Sequence, residues 1–217
     1  MKTHYLFYFV FTFCITLTSC SIDDIKASNN IVTEERVLSD FNEIDISSDI
    51  EVVVKQGPSQ SVKVTTSDNI QDNVTTRVNN GKLTARLTGN IRRLDVLRIE
   101  IVIPTISSLR MSADSFGTLS GFENLDSFRL NVSSDAFITL SGTANSMNID
   151  ASSDARIEGF DFETKTCNIN CSSDATVSIT CTDALSGSVS SDGIIFYKGN
   201  PSVNVSTSSD GAIINSN

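Results

Sequence analysis

The triplet Ser-Ser-Asp, with Ala113 in its middle place at the first occurrence, returns through the second half of the chain at Asp114, Asp135, Asp154, Asp174, Asp192 and Asp210, at intervals of 21, 19, 20, 18 and 18 residues. Self-similarity at this period is the signature of a solenoid, whose repeats cannot bury an apolar face alone and must stack on one another. The flanks repeat as well. Five residues before each aspartate stand Leu109, Leu130, Ile149, Ile169, Gly187 and Val205, and three before stand Met111, Val132, Ala151, Cys171, Val189 and Thr207. Three after come Gly117, Ile138, Ile157, Val177, Ile195 and Ile213. These offsets are all odd, so in an extended chain the side chains share one face; the period is that of strands, not helices.

The residue after each aspartate is small throughout (Ser115, Ala136, Ala155, Ala175, Gly193, Gly211), which suits a sharp corner over a narrow interior. The fold expected is all-β: a parallel β-helix (β-solenoid) of ~18–21-residue rungs, with a β-sandwich as the alternative that regular short strands also permit. A composition of 39% hydrophobic and 7% aromatic residues supplies a core. The first half keeps the theme less regularly. Phe41–Val54 carries the same signal around Asp49, and 65 residues then pass before Asp114. They hold alternating segments at Ser61–Thr66, Val74–Val78, Lys82–Leu87 and Leu97–Ile103, with Asn79-Asn80-Gly81 as a hairpin turn. This region reads either as about three degenerate rungs or as an antiparallel cap, and a cap has a purpose because the bare end of a β-helix is an adhesive edge.

The amino terminus, MKTHYLFYFVFTFCITLTSC, joins a basic start to an apolar stretch too short to span a bilayer comfortably and ends in Leu17-Thr18-Ser19-Cys20. It resembles the lipobox of bacterial lipoproteins, in which the cysteine is acylated and becomes the first residue. The resulting division is 1–19 lipoprotein signal peptide, 20–35 lipid-anchored flexible tether and 36–217 solenoid domain, with a short acidic run at Asp23-Asp24 that is either an export tag or plain linker. Anchoring by lipid on Cys20 makes the membrane a partner and places the chain in the cell envelope, as an outer-membrane lipoprotein exposed at the surface.

His4 is the only histidine, so removal of the leader leaves no Ser-His-Asp triad, Cys-His pair or His-ligated metal site. A net charge of −10 repels phosphate backbones and speaks against nucleic acid. A polysaccharide-cleaving β-helix needs charged residues gathered in a cleft and aromatics for stacking sugars. Beyond the leader there are Tyr197 and phenylalanines partly absorbed in apolar columns, and Arg92-Arg93 with Arg98 are the only local basic group. No catalytic residue and no cofactor-binding residue is assigned, and an enzyme is not expected.

The opening F-x-x-I-x-I-x-x-D-I-x-V-V-V-x-Q-G at Phe41–Gly57, the S-S-D-A corners with the later Ser141-Gly142, and the closing Y-x-G-x-P-x-V at Tyr197–Val203 together resemble the head GIN domain family, which carries the label putative auto-transporter adhesin. The resemblance covers roughly residues 36–217 and implies an exported, all-β, solenoid-like protein, often a lipoprotein, without catalytic residues. The chain ends on a repeat with no barrel-forming translocator behind it, so a literal autotransporter is not expected. The function expected is a surface adhesin or interaction module for a glycan or protein ligand, the alternative a structural envelope scaffold.

Stacked at a strand spacing of ~4.8 Å, adjacent carboxylates of the ladder repel by about 0.9 kcal/mol in water and about 3.5 kcal/mol at an effective dielectric of 20. Three readings of Asp114, Asp135, Asp154, Asp174, Asp192 and Asp210 follow: serine hydroxyls and corner N–H groups satisfy them, a ladder of Ca²⁺ ions neutralises them, or they form a recognition surface. Cys167 and Cys171 lie four apart on the inward face, ~13 Å along a strand, and cannot pair with each other. They read as buried thiols, with a bridge from either to Cys181 open in an oxidising envelope.

Overall fold

The computed structural model describes residues 24–217. The signal peptide and the acylated cysteine expected at residues 1–20 lie outside the described residues. Among those described, no helix is long and apolar enough to cross a membrane.

In chain order the strands begin with β1 (Ile25–Lys26), β2 (Ile31–Glu35), β3 (Glu43–Ser47), β4 (Glu51–Gln56) and β5 (Ser61–Ser67). A short 3₁₀ helix, Asp68–Asn73, leads to β6 (Val74–Asn79), β7 (Lys82–Leu87), β8 (Ile91–Arg92), β9 (Leu97–Ile103) and β10 (Ser108–Ser112). Then come four long, bent strands, β11 (Phe116–Ser133), β12 (Phe137–Ser152), β13 (Arg156–Cys171) and β14 (Thr176–Val189), and finally β15 (Ile194–Lys198), β16 (Ser202–Thr207) and β17 (Ala212–Asn215).

Along the stack, from β3 and β4 onto β10 and β11 and then through β17, the strands pair in parallel, and on either side of each corner they stay in register, as the odd-offset pattern requires. One interior column runs Ile44, Leu109, Leu130, Ile149, Ile169, Gly187, Val205. A second runs Val52, Gly117, Ile138, Ile157, Val177, Ile195, Ile213. Leu109, Leu130, Ile138, Ile157, Ile169 and Val177 are all at 0% exposure. The structure is therefore a β-solenoid whose turns, named by their corners, are rung 1 (Asp49), rung 2 (Asp114), rung 3 (Asp135), rung 4 (Asp154), rung 5 (Asp174), rung 6 (Asp192) and rung 7 (Asp210). Phe122, Phe128 and Phe162 are buried in its interior, with the ring centroids of Phe128 and Phe162 6.0 Å apart.

The 65 residues between Asp49 and Asp114 leave the stack and return to it, so that β10 lies directly against β3 although the two are distant in sequence. Within the excursion β7 and β9 pair in parallel with β3 and β4 and make one degenerate rung. Beyond it the pairing turns antiparallel: β6 on β7, β5 on β9, β2 on β5. The region is thus a rung and a cap together. The Asn79–Lys82 hairpin has Asn80 at φ 50° and Gly81 at φ 76°, the two left-handed residues that a type I′ turn demands.

The flexible tether expected over residues 20–35 is corrected for its described part. β1 pairs with β8, β2 pairs with β5, and Ala27 is buried in the core cluster. Polar side chains fasten this segment, which is why apolar periodicity does not announce it. Gln71 donates to the carbonyls of Val32 (3.0 Å) and Val64 (3.2 Å) and accepts from Arg36 (2.8 Å). Ser67 donates to the carbonyl of Ser28 (2.7 Å), and Asp68 accepts from Ser28 Oγ and from Asn30 (2.8 Å), which together lower the Asp68 pKa.

Candidate functional site

The repeated triplet is a backbone device. At rung 3, Ser134 (φ 56°) and Asp135 (φ 61°) are both left-handed, and the Ala136 N–H donates to the Ser133 carbonyl at 3.3 Å: a type I′ turn used as a solenoid corner. Rungs 4, 5, 6 and 7 repeat these angles to within ten degrees. Serine and aspartate recur because short polar side chains tolerate the left-handed region, and a small residue follows because the chain turns over the narrowing interior. The corners are linked along the axis by backbone bonds, Asp114 to Ser134, Asp135 to Ser153, Asp154 to Ser173 and Asp174 to Ser191, each 3.0 Å from amide nitrogen to carbonyl oxygen. Rung 1 departs from this: only Ser48 is left-handed (φ 84°), and Ile50 N–H closes a tighter turn on the Ser48 carbonyl at 2.7 Å.

The ladder carboxylates, Asp114 through Asp210, are exposed, and among the described residues no side chain or backbone N–H hydrogen-bonds to them. The satisfaction by serine hydroxyls considered above is absent, and solvent serves instead, so the lower of the two repulsion figures applies. Among the described residues no three His, Cys, Asp or Glu side chains gather as a metal-holding group. Cys167, Cys171 and Cys181 are buried free thiols. Burial raises the pKa of all three, that of Cys171 to about 11, and the Cys171 thiol donates to the Ala175 carbonyl at 3.1 Å.

Two outer faces flank the line of corners, and they differ. The face upstream of the corners presents rows of amides, hydroxyls and occasional charges; Asn170 donates to Asp150 (3.0 Å), Ser188 donates to Asn170 (3.0 Å) and Asn168 donates to Ser186 (3.0 Å). It carries no aromatic residue. Among the described residues, the downstream face carries every phenylalanine that is not buried: Phe116, Phe137, Phe160 and Phe196. The rings of Phe116 and Phe137 stack at 4.9 Å in adjacent rungs, and Arg156 follows them in register.

The register shifts between β11 and β12 around Phe122, and it breaks again at rung 4 against both neighbours. Ile157 and Glu158 pair with Ile138 and Thr139, but Ser141 pairs with Asp161, and on the other side Gly159 and Glu163 pair with the consecutive Ile179 and Thr180. The extra residues bring Phe160 and Asp161 to the edge of an open notch of about 320 Å³ that Thr139, Arg156, Glu158 and Ser178 also line. Thr180 Oγ1 pins the bulge by donating to the Phe160 carbonyl (2.8 Å), Lys198 Nζ sits 4.5 Å from the Phe160 ring centroid, and Arg156 pairs with Glu158 at 3.0 Å. The sequence holds a signal for these aromatics, since each stands at an even offset from its corner aspartate, which is the outward phase; they escape notice when phenylalanine is counted only as core material.

A family model described as "Putative auto-transporter adhesin, head GIN domain" matches residues 40–201. No curated protein matches the chain. Among solved structures, one described as a putative adhesin from Bacteroides fragilis aligns with TM-score 0.71 at 19% identity, over 88% of this chain and 100% of its own. A putative lipid binding protein from Parabacteroides distasonis aligns at 0.59 and 19% identity over 90% and 100%, and a putative adhesin from Parabacteroides merdae at 0.57 and 16% over 90% and 100%. At these identities the likeness is one of fold.

Proposed function

The chain belongs to the head GIN domain family, and from that premise we propose that it is a non-catalytic surface interaction module of the adhesin kind, held at the outer membrane by lipid on Cys20. The observation that carries this reading is where the chemistry lies. The interior columns are closed by side chains at or near zero exposure, while the polar and aromatic side chains stand outside in rows set by the strand register. With the described interior filled by side chains in this way, recognition falls to the outer faces. The descriptions of two of the similar structures, each as a "putative adhesin", support the same reading. The name of the third, a lipid binding protein, transfers here only if lipid sits outside the rod.

Anchoring is supported by Leu17-Thr18-Ser19-Cys20 and by the acyl-chain arithmetic: about 0.8 kcal/mol per buried methylene makes more than one chain a stable anchor. The test has two arms. Cys20→Ala should abolish incorporation of labelled palmitate and move the protein out of the membrane fraction. A membrane-impermeant amine-reactive biotin ester should label the lysines of the wild-type chain on intact cells; labelling that requires lysis would refute exposure at the surface.

A further inference from the structure

We propose that the downstream face, centred on the notch beside Phe160, is a binding site for a neutral oligosaccharide lying along the solenoid axis; this rests on the interaction-module reading and supplies its ligand class. Three independent features converge on it. The first is the insertion itself: in a stack of like turns, extra residues map to one face and re-aim side chains there; rung 2 also carries extra residues, with its break around Phe122, whereas those of rung 4 bring Phe160 and Asp161 out beside Glu158.

The second is the segregation of aromatic rings. Phe116 is exposed and Phe137, Phe160 and Phe196 are partly exposed, all outside the core, and these four share one face of the described chain while none stands on the other. From Phe116 on rung 2 to Phe196 on rung 6 is four strand spacings, ~19 Å, the reach of a short run of sugar rings. The stacked pair Phe116–Phe137 and the Phe160 ring, over one face of which Lys198 Nζ lies, offer apolar surface to the C–H face of a pyranose.

The third is polar composition. Thr139, Ser178, Glu158 and Asp161 line the notch with hydroxyls and carboxylates, which accept from sugar hydroxyls. The acids Glu158 and Asp161 are balanced by Arg156 and Lys198 close by. With a chain charge of −10 besides, this arrangement suits an uncharged ligand better than a polyanion.

The test uses detergent-solubilised full-length protein on an array of neutral oligosaccharides (β-linked glucose, galactose and N-acetylhexosamine oligomers) interspersed with unglycosylated polypeptides. The wild type should bind sugar spots. Phe160→Ala and Asp161→Asn should each weaken that binding at least tenfold with an unchanged melting curve, Phe160→Tyr should restore it, and Asn170→Ala on the opposite face should leave it within twofold. Sugar binding untouched by Phe160→Ala, or abolished equally by Asn170→Ala, overturns the site. Binding confined to polypeptide spots overturns the sugar assignment while the interaction module stands. Binding to nothing overturns the proposal, and together with failure to label intact cells it removes the module reading too.

Discussion

The backbone N–H of Asp154 donates to the carbonyl of Ser173, one rung along, at 3.0 Å. What each corner needs from its aspartate is therefore an amide held in the left-handed region, not a carboxylate bonded to a neighbour. Asp154→Asn should change stability by less than about 0.5 kcal/mol, whereas Asp154→Val should cost about 1–2 kcal/mol, because a β-branched residue resists positive φ. Thermal melting of the two variants separates these outcomes. Millimolar calcium should leave the wild-type midpoint where it is; a rise that Asp154→Asn removes would show that the ladder holds cations after all.

Ser115 stands in the small-residue column with its hydroxyl buried and unpartnered, where the next rungs place Ala136, Ala155 and Ala175. A buried polar group without a partner costs about 1–3 kcal/mol. Ser115→Ala should accordingly raise the urea midpoint, by an amount worth about 1 kcal/mol. An unchanged or lower midpoint would mean that the hydroxyl finds a partner in solution.

Gly187 interrupts a column of branched aliphatics for a local reason. Its φ is 127°, and a Cβ built there would lie 2.0 Å from the Ile169 carbonyl oxygen. Gly187→Ala should destabilise the protein by about 3 kcal/mol through combined backbone strain and collision. The unfolding midpoint in guanidinium reads this directly.

The cysteines make stability fall in alkali. The Cys171 thiol ionises near 9.0 in the unfolded chain and at about 11 in the fold, and Cys167 and Cys181 are raised in the same direction. The native state holds on to protons that the unfolded state has lost, so stability is complete below pH 9 and declines as pH rises toward 11. Replacing all three by alanine should flatten the melting temperature over that window. The native thiols should also resist alkylation until the protein is denatured.

Much of the fold is legible because its determinants are local and repeated. The odd-offset residues such as Leu130, Ile149 and Ile169 fix which face is inside, the triplets fix where the chain turns, and Asn80-Gly81 fixes a hairpin. The neighbour of β3 is not legible in this way: pairing of Arg110 with Asp45 across the excursion has no local signature, and only closing the stack selects it. The docking of β1 and β2 is hidden because Gln71, Ser67 and Asp68 hold it through polar bonds that leave no hydrophobic period. The serines of the triplet invite a side-chain explanation, while backbone dihedrals decide the matter. The notch escapes for a related reason, since a register break at Gly159–Phe162 becomes visible only once Ile179 and Thr180 are set beside it.

Everything said of the two faces depends on the turns being superposed, and one outward row allows this to be measured. Asp45, Arg110, Asn131, Asp150, Asn170, Ser188 and Ser206 stand in register on successive rungs. With one spin label fixed at Ser206→Cys and a second placed in turn at Asn170→Cys, Asn131→Cys and Asp45→Cys, pulsed dipolar spectroscopy should give separations growing by ~4.8 Å per rung, thus ~10, ~19 and ~29 Å. The Asp45 label is the decisive one, since the excursion separates it from the regular repeats in sequence but not in space. A distance that fits no whole number of rungs, or three distances that fail to increase in this order, would contradict the stack and with it the aromatic face.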